Sequence, residues 1–392
     1  APASFEQDFT APRNPIEQKL AGIWANTLGL AQVGVHDNFF SVGGDSILSI
    51  QIASRAYQAG LHLTPAQLFQ HQTIAQLGAV VTAVTGREAT ITAAQGIVTG
   101  PVPLTPIQRW FFDQPLVDAH HYNQSLLLAV YPTVDINLLA KALQQLPQHH
   151  DTLRLRFQEG ENSWQQVNAG LDQPVPFHIM DLSDRAPAEQ VRSITKLASR
   201  YQAQLNLTAG PLLQTVYFHL GPQQIGRLLI AIHHLAVDRV SWRILLEDLN
   251  LAYEQLRQGQ TIQLPAKTTS FKAWSERLAA YAQTDKLLAE LVYWTAAVRT
   301  QVTPLPVDYP AVSDFNTVIS ANTLAVALNA AETNNLLQRV PSAYNTQVND
   351  LLLAALTQAF TRWTGSTSLL VDLEGHGREA LFANVDLSRT VG

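Results

Sequence analysis

The 392 residues contain no cysteine. That removes disulfides, thiolate metal ligands and a cysteine nucleophile together. Charge is also scarce. Asp, Glu, Lys and Arg make up 14% of the chain, against about a quarter in ordinary globular proteins, so Gln, Asn and Thr must cover much of the surface. No long basic run occurs, and the net charge of -6 argues against a nucleic-acid partner. No apolar run approaches the roughly 20 residues of a membrane span, and no signal peptide opens the chain. A cytoplasmic location fits these absences. What the chain does have is apolar side chains, 46% of the total, enough for real cores and too many for a disordered polymer. Its length predicts more than one domain. It opens on Ala1 and stops abruptly at Gly392, which reads as a segment of something longer.

A change of character falls near residue 90. Residues 1–13 are punctuated by proline and read as linker. In "NPIEQKLAGIWANTLGL" the apolar residues Ile16, Leu20, Ile23, Trp24 and Leu28 recur at helical spacing. Asn14 is placed to cap that helix and Pro15 to open it. A loop, a second helix ending at Gly60, a short helical turn "TPAQLFQ" and a last helix "TIAQLGAVVTAV" follow, so residues 14–84 predict a small helical bundle. Residues 85–103 read as a second linker or an extended lead-in. Beyond them helix and strand patterns mix, without internal repeats.

Several stretches carry chemistry. In "DNFFSVGGDSILSIQ", Gly43 and Gly44 permit a tight bend and Ser46 starts a helix. Free N–H groups and the helix dipole favour an anion there. Asp45 beside it reads as exposed. A plain serine cap after a glycine turn is the bland reading. In "PLTPIQRWFF", Thr105 caps, Pro106 opens, and Trp110, Phe111 and Phe112 pack on a core. The "HHD" of His149 to Asp151 ends a helix before a strand and reads as structural. In "RLLIAIHHLAVDRVSWRILLEDL" a strand ends on two histidines. Alternation puts His233 and His234 on opposite faces, which argues against a two-histidine metal site. Asp238 fixes the following turn, and a helix starts. The residues alone leave open a catalytic base or two satisfied core histidines. In "SLLVDLEGHGRE" a strand ends at Glu374, and Gly375 and Gly377 flank His376 and permit close backbone approach. A glycine-rich turn with surface charges is the alternative.

With "VHDNFF" before it and "LFQHQTIAQL" after it, the Ser46 stretch resembles the attachment site of peptidyl carrier domains of non-ribosomal peptide synthetases. Its Asp45-Ser46-Ile47 version resembles carriers that precede epimerization domains. The resemblance implies a covalent 4'-phosphopantetheine on Ser46, with Asp45 beside the attachment point. The reactive thiol then comes with the cofactor, which accounts for the missing cysteine. From "PLTPIQRWFF" onward the ordered motifs, with "HHYNQSLLLAVYP", "VSWRIL" and "VNDLLLAALTQAF" among them, resemble an epimerization domain. The implied fold is a small all-α four-helix carrier bundle followed by a two-lobed chloramphenicol-acetyltransferase-like α/β domain, its first lobe at 104–267 and an incomplete second lobe at 268–392. The implied activity is inversion at Cα of a carried aminoacyl or peptidyl thioester. His234 and Glu374 are its catalytic pair, and His233, Asp238, Gly375 and Gly377 support them. No metal is implied. The implied partners are an upstream adenylation domain, a downstream condensation domain or module, and a phosphopantetheinyl transferase.

Two features depart from that pattern. Arg239 stands where the family signature has glycine after its aspartate; if that turn needs positive φ, arginine costs about 1 kcal/mol. The chain also stops where that family signature is only beginning. A condensation domain, an acyltransferase using soluble coenzyme A, and a non-catalytic docking platform stay open as alternatives. Glu374, which condensation domains generally lack, counts against the first, and the carrier counts against the second.

Overall fold

The computed structural model describes residues 9–83, 93–161, 163–296, 305–307, 318–344, 346–379, 381–382 and 385–392. The chain divides into two compact units, residues 1–83 with 285–375 and residues 84–284 with 376–392.

In the first unit four helices form the bundle: α1 (Pro15–Leu28), α2 (Ser46–Gln58), α3 (Pro65–Gln70) and α4 (Ile74–Val80). Asn14 accepts from the Glu17 N–H at 2.9 Å and Pro15 occupies the first helical position, the start that residue order predicts. Thr64 and Gln67 form a capping box on α3. The last helix is shorter than its apolar pattern predicts. It stops at Val80, because Thr82–Ala83 (β2) instead pairs antiparallel with Leu61–His62 (β1). The core is built on Leu20, Trp24, Phe39, Ile52, Leu68, Ile74 and Leu77, all fully buried.

Two sheets carry the second unit. One is antiparallel, ordered β3 (Gly100–Val102), β6 (Trp164–Asn168), β5 (Leu155–Glu159). The other runs β4 (Asn123–Val130), β9 (Gly226–His233), β8 (Leu213–His219), β7 (Phe177–Asp181), antiparallel except between β7 and β8. The end of the stretch 85–103, expected as a linker or an extended lead-in, is extended and forms β3; residues 85–92 lie outside the described residues. Helices α6 (Ile136–His149) and α8 (Arg239–Arg257) pack together, and α7 (Pro187–Gln202) packs on β8. Both β8 and β9 are buried along almost their whole length; β9 is a near-continuous apolar run, while β8 carries Gln214 and Thr215 inside.

The short helix α5 (Pro106–Phe112) corrects two expectations. The Thr105 hydroxyl is buried without a partner, and it is the Gln108 side chain that accepts from the Thr105 N–H at 3.0 Å. Phe111 is buried and Phe112 stacks on Trp164 at 4.2 Å, but Trp110 is 55% exposed. A one-sided helix of two turns has no room for three adjacent aromatics on its core face.

From residue 285 to 375 no described residue is buried. The helix Val348–Thr364, which the resemblance implies as a core helix, forms and ends on Gly365 in left-handed conformation, but none of its described residues is buried. The expected strand ending at Glu374 does not form: residues 368–376 have no ladder partner and carry no strand. Extended backbone becomes a strand only where a neighbour accepts its N–H and C=O groups.

Candidate functional site

The Ser46 loop is organised by the bundle core. Gly43 has φ +101°, open to glycine and strained for other residues. Gly44 donates to the Phe39 carbonyl at 2.8 Å, and a Cβ added to Gly44 would stand 2.5 Å from the Phe39 ring. The loop thus wraps a core aromatic and delivers Ser46 as the first residue of α2. Capping falls to Asp45, whose Oδ1 accepts from the Leu48 N–H at 2.7 Å. The bland reading of serine as the cap is replaced by aspartate as the cap. A phosphodiester at Ser46 fits this donor set, since the first turn of a thirteen-residue helix offers N–H groups to an anion.

The two histidines separate as alternation predicts. His233 closes β9 and is fully buried. Its Nε2–H donates to the Ala119 carbonyl at 2.8 Å, and its Nδ1 accepts from the Leu235 N–H at 3.1 Å. Burial lowers its pKa to about 4, so it is a neutral, satisfied core residue near pH 7. The edge of its ring meets Phe111. His234 begins the turn and is half-buried. Its Nδ1–H donates to the Val237 carbonyl at 2.9 Å, because a carbonyl can only accept. Its Nε2 lies 2.9 Å from the side-chain nitrogen of Gln124. Tyr122 stacks on the ring at 5.4 Å and 15°, and Tyr122 in turn packs on Phe111. The opening aromatic helix therefore buttresses both histidines, a role its sequence does not reveal.

Asp238 caps α8, its Oδ1 accepting from the Ser241 N–H at 2.7 Å. Both of its oxygens also meet the guanidinium of Arg378. Arg378, nearly buried, reaches the Ser241 hydroxyl and the Thr390 and Gly392 carbonyls as well. The tail 376–392 is thereby tied to the turn after His234. Arg239 is the first residue of α8, in helical conformation, so the turn needs no positive φ and the expected strain is absent. The two carboxylates nearest it in sequence, Asp238 and Glu247, pair with Arg378 and Arg389.

The other histidine pair is structural. His150 Nε2–H donates to Asp248 at 2.8 Å, and Asn168 donates to Asp151 at 3.2 Å. Arg389 takes the second oxygen of Asp248. Burial pushes the Asp248 carboxyl up, but the His150 bond and the Arg389 charge outweigh it and hold the pKa below the ordinary range. The nearest ligand atoms of His149, His150 and Asp248 lie within 4.8 Å of one another, yet the carboxylate's charge is already met by arginine.

Glu374 is exposed and lies in the unit with the bundle, whereas His234 lies in the other unit. Gly377 has φ +69°; Gly375 is not in the left-handed region. Sequence reasoning misses Gln124, Tyr122 and Arg378. The first two sit in "HHYNQS", which reads as a strand, and the third in "EGHGRE", where the glutamate draws the eye.

Comparison with known proteins agrees with this architecture. A family model described as phosphopantetheine attachment site matches residues 18–81, and one described as condensation domain matches residues 98–392. A linear gramicidin synthase polypeptide of Brevibacillus parabrevis is 53% identical over 386 residues, covering 98% of this chain and 5% of that protein. Surfactin synthase subunit 2 of Bacillus subtilis (strain 168) is 43% identical over 387 residues, 98% of this chain and 10% of that one. The chain thus spans a small fraction of these relatives' length. Among solved structures, the epimerization domain from the third module of tyrocidine synthetase B has a TM-score of 0.70 at 40% identity, over 76% of this chain and 68% of that one. The first condensation domain of the calcium-dependent antibiotic synthetase reaches 0.51 at 22% identity, over 70% and 63%, and bears on fold alone. The chain belongs to the condensation-domain family of non-ribosomal peptide synthetases, with a carrier domain that takes a covalent 4'-phosphopantetheine ahead of a two-lobed chloramphenicol-acetyltransferase-like domain. No helix among the described residues is long and apolar enough to cross a membrane.

Proposed function

We propose that this chain inverts the Cα of an aminoacyl or peptidyl group carried on Ser46, with His234 and Glu374 as the groups that move the proton. The observation that carries this reading is the likeness to a solved epimerization domain, 40% identical over 76% of this chain. The arm, when bound, supplies a thiol that holds the residue as a thioester and makes its Cα proton acidic. His234 keeps one proton on Nδ1 against Val237 and leaves a lone pair on Nε2, which accepts from the Gln124 amide at 2.9 Å until a substrate displaces it; a lone pair there is what a general base needs. Tyr122 holds the ring from one face. Arg378, through Asp238, fixes the turn that aims it. Glu374, an exposed carboxylate, is the second proton-transferring group that the resemblance implies. The expected neighbours are an adenylation domain before the carrier, a condensation domain or module after, and a phosphopantetheinyl transferase acting on Ser46.

The test uses the aminoacyl-loaded chain in deuterated solvent. His234→Ala and Glu374→Gln should each slow inversion by about 10²–10⁴-fold. Full inversion in both variants removes the mechanism. A condensation-type reading is favoured by the family model's own description. It predicts peptide-bond formation with a second loaded carrier and no washout of the α-proton. Neither activity in the loaded chain would leave the docking platform.

A further inference from the structure

We infer that Gln124, held by Trp242, is a positioning residue that dictates which ring nitrogen of His234 carries the proton. The inference rests on His234 being the proton-transferring residue only for its effect on catalysis, not for the geometry.

The chain of bonds has one consistent direction. Trp242 Nε1 can only donate, and it lies 2.7 Å from Oε1 of Gln124. That fixes the amide's orientation: its oxygen faces the indole and its NH₂ faces His234. The NH₂ then donates to His234 Nε2 at 2.9 Å. An N–H cannot point at a second N–H, so Nε2 must be the lone-pair nitrogen. At the other end Val237, an acceptor only, demands the proton on Nδ1. Both neighbours therefore select the same tautomer, and an imidazolium would set its Nε2–H against the amide. The clamp is built from rigid elements. Gln124 sits on β4 opposite Ile232 of β9, two residues before His234, and Trp242 lies in the first turn of α8 and is almost fully buried.

The other titratable groups around His234 are already committed. His233 is neutral and doubly hydrogen-bonded. Asp238 is taken by Arg378 and Ser241. Tyr122 presents its ring face. Gln124 is left as the group that decides what Nε2 holds. In the proposed reaction Nε2 takes the Cα proton only after the amide N–H has left it, so Gln124 holds the lone pair on Nε2 until a substrate displaces the contact.

The test is ¹⁵N–¹H correlation of the ¹⁵N-histidine-labelled chain at neutral pH, with no arm attached. The native chain should show His234 protonated on Nδ1 and bare on Nε2. Gln124→Glu replaces the donor by a carboxylate acceptor and should put a proton on Nε2 in most molecules. Trp242→Phe frees the amide to turn its oxygen toward Nε2 and should shift the ring in the same direction, less completely. The His233 signals, whose partners lie elsewhere, report that the fold is intact. A native ring protonated on Nε2 overturns the inference, and so does a folded Gln124→Glu whose His234 Nε2 stays bare. If Gln124→Glu does not fold, an unmoved ring in Trp242→Phe overturns it. In the loaded chain Gln124→Glu should slow α-proton exchange tenfold or more. A native chain with the stated tautomer but no exchange would refute the epimerization reading and leave this one standing.

Discussion

Residues 93–284 and residues 285–375 are both rich in apolar side chains, yet among the described residues only the first stretch buries them. In the first, β8 and β9 are almost wholly enclosed and even charged side chains lie inside, as with Asp248 and Arg154. In the second, Val292, Leu324 and Leu352 stand 81%, 91% and 50% exposed, and no described residue is buried. The difference separates what local sequence can build from what needs a neighbour. The helix Val348–Thr364 closes its hydrogen bonds within itself. The stretch before Glu374 has strand composition but no ladder, because ladder bonds lie between segments.

That contrast can be broken experimentally. The largest effect is expected at Asp248, whose removal leaves His150 and Arg389 facing each other without their shared carboxylate. Asp248→Ala should cost about 3–5 kcal/mol, read as a loss of amide-exchange protection in α8 of about two to four orders of magnitude. Glu332→Ala, which removes half of the capping box on the exposed helix Ala330–Asn334, should cost about 1 kcal/mol or less. Equal losses would erase the distinction between the regions.

The same chemical change gives the next comparison. Leu143 is fully buried and Leu352 is half exposed. Leu143→Ala should destabilise by about 2–5 kcal/mol, and Leu352→Ala should stay within about 0.5 kcal/mol, both read from urea unfolding. A large effect at Leu352 would mean that its helix is packed in solution.

Acid sharpens the comparison further, since residues 285–375 contain no histidine. The folded pKa of His233 is about 4, below the roughly 6.5 of an unfolded histidine. Between those values the unfolded chain binds a proton that the folded chain refuses, so stability falls as pH drops. The contribution is fully present above about pH 6.5 and gone by about pH 4, on the order of 3 kcal/mol. His149, also lowered to about 4 by burial and by its neighbour His150, acts in the same direction. His233→Asn should flatten the pH dependence of the urea midpoint over that window. Coincident profiles would show that His233 titrates as it does in the unfolded chain.

Helix starts were legible because their signals are local. Asn14-Pro15 and Thr64-Pro65 act within one turn of the residues they cap. The strand ending in the histidine pair was legible too, since β-branched and apolar runs bounded by a turn have few other uses. Local misses were small, as at Asp45 and Gln108; the larger ones were partners distant in the chain. Arg378 reaches Asp238 across 140 positions, Trp242 reaches Gln124 across 118, and β2 pairs with β1 where a helix was expected to continue. In the site, the histidine could be picked out from its string, but its tautomer could not, because the string does not show that the Val237 carbonyl faces Nδ1, and Gln124 and Trp242 lie on another strand and a helix.

The ring of Phe39 beneath Gly44 has a consequence for how such carriers can change over generations. The two positions leave no room for a side chain at 44 while the ring stays at 39. A chain can exchange the glycine only after, or together with, a smaller residue at 39, and that smaller residue leaves a hole among Trp24 and Phe40. Substitutions at 39 and 44 are therefore expected to arise together, and the order in which they arise decides which paths stay open.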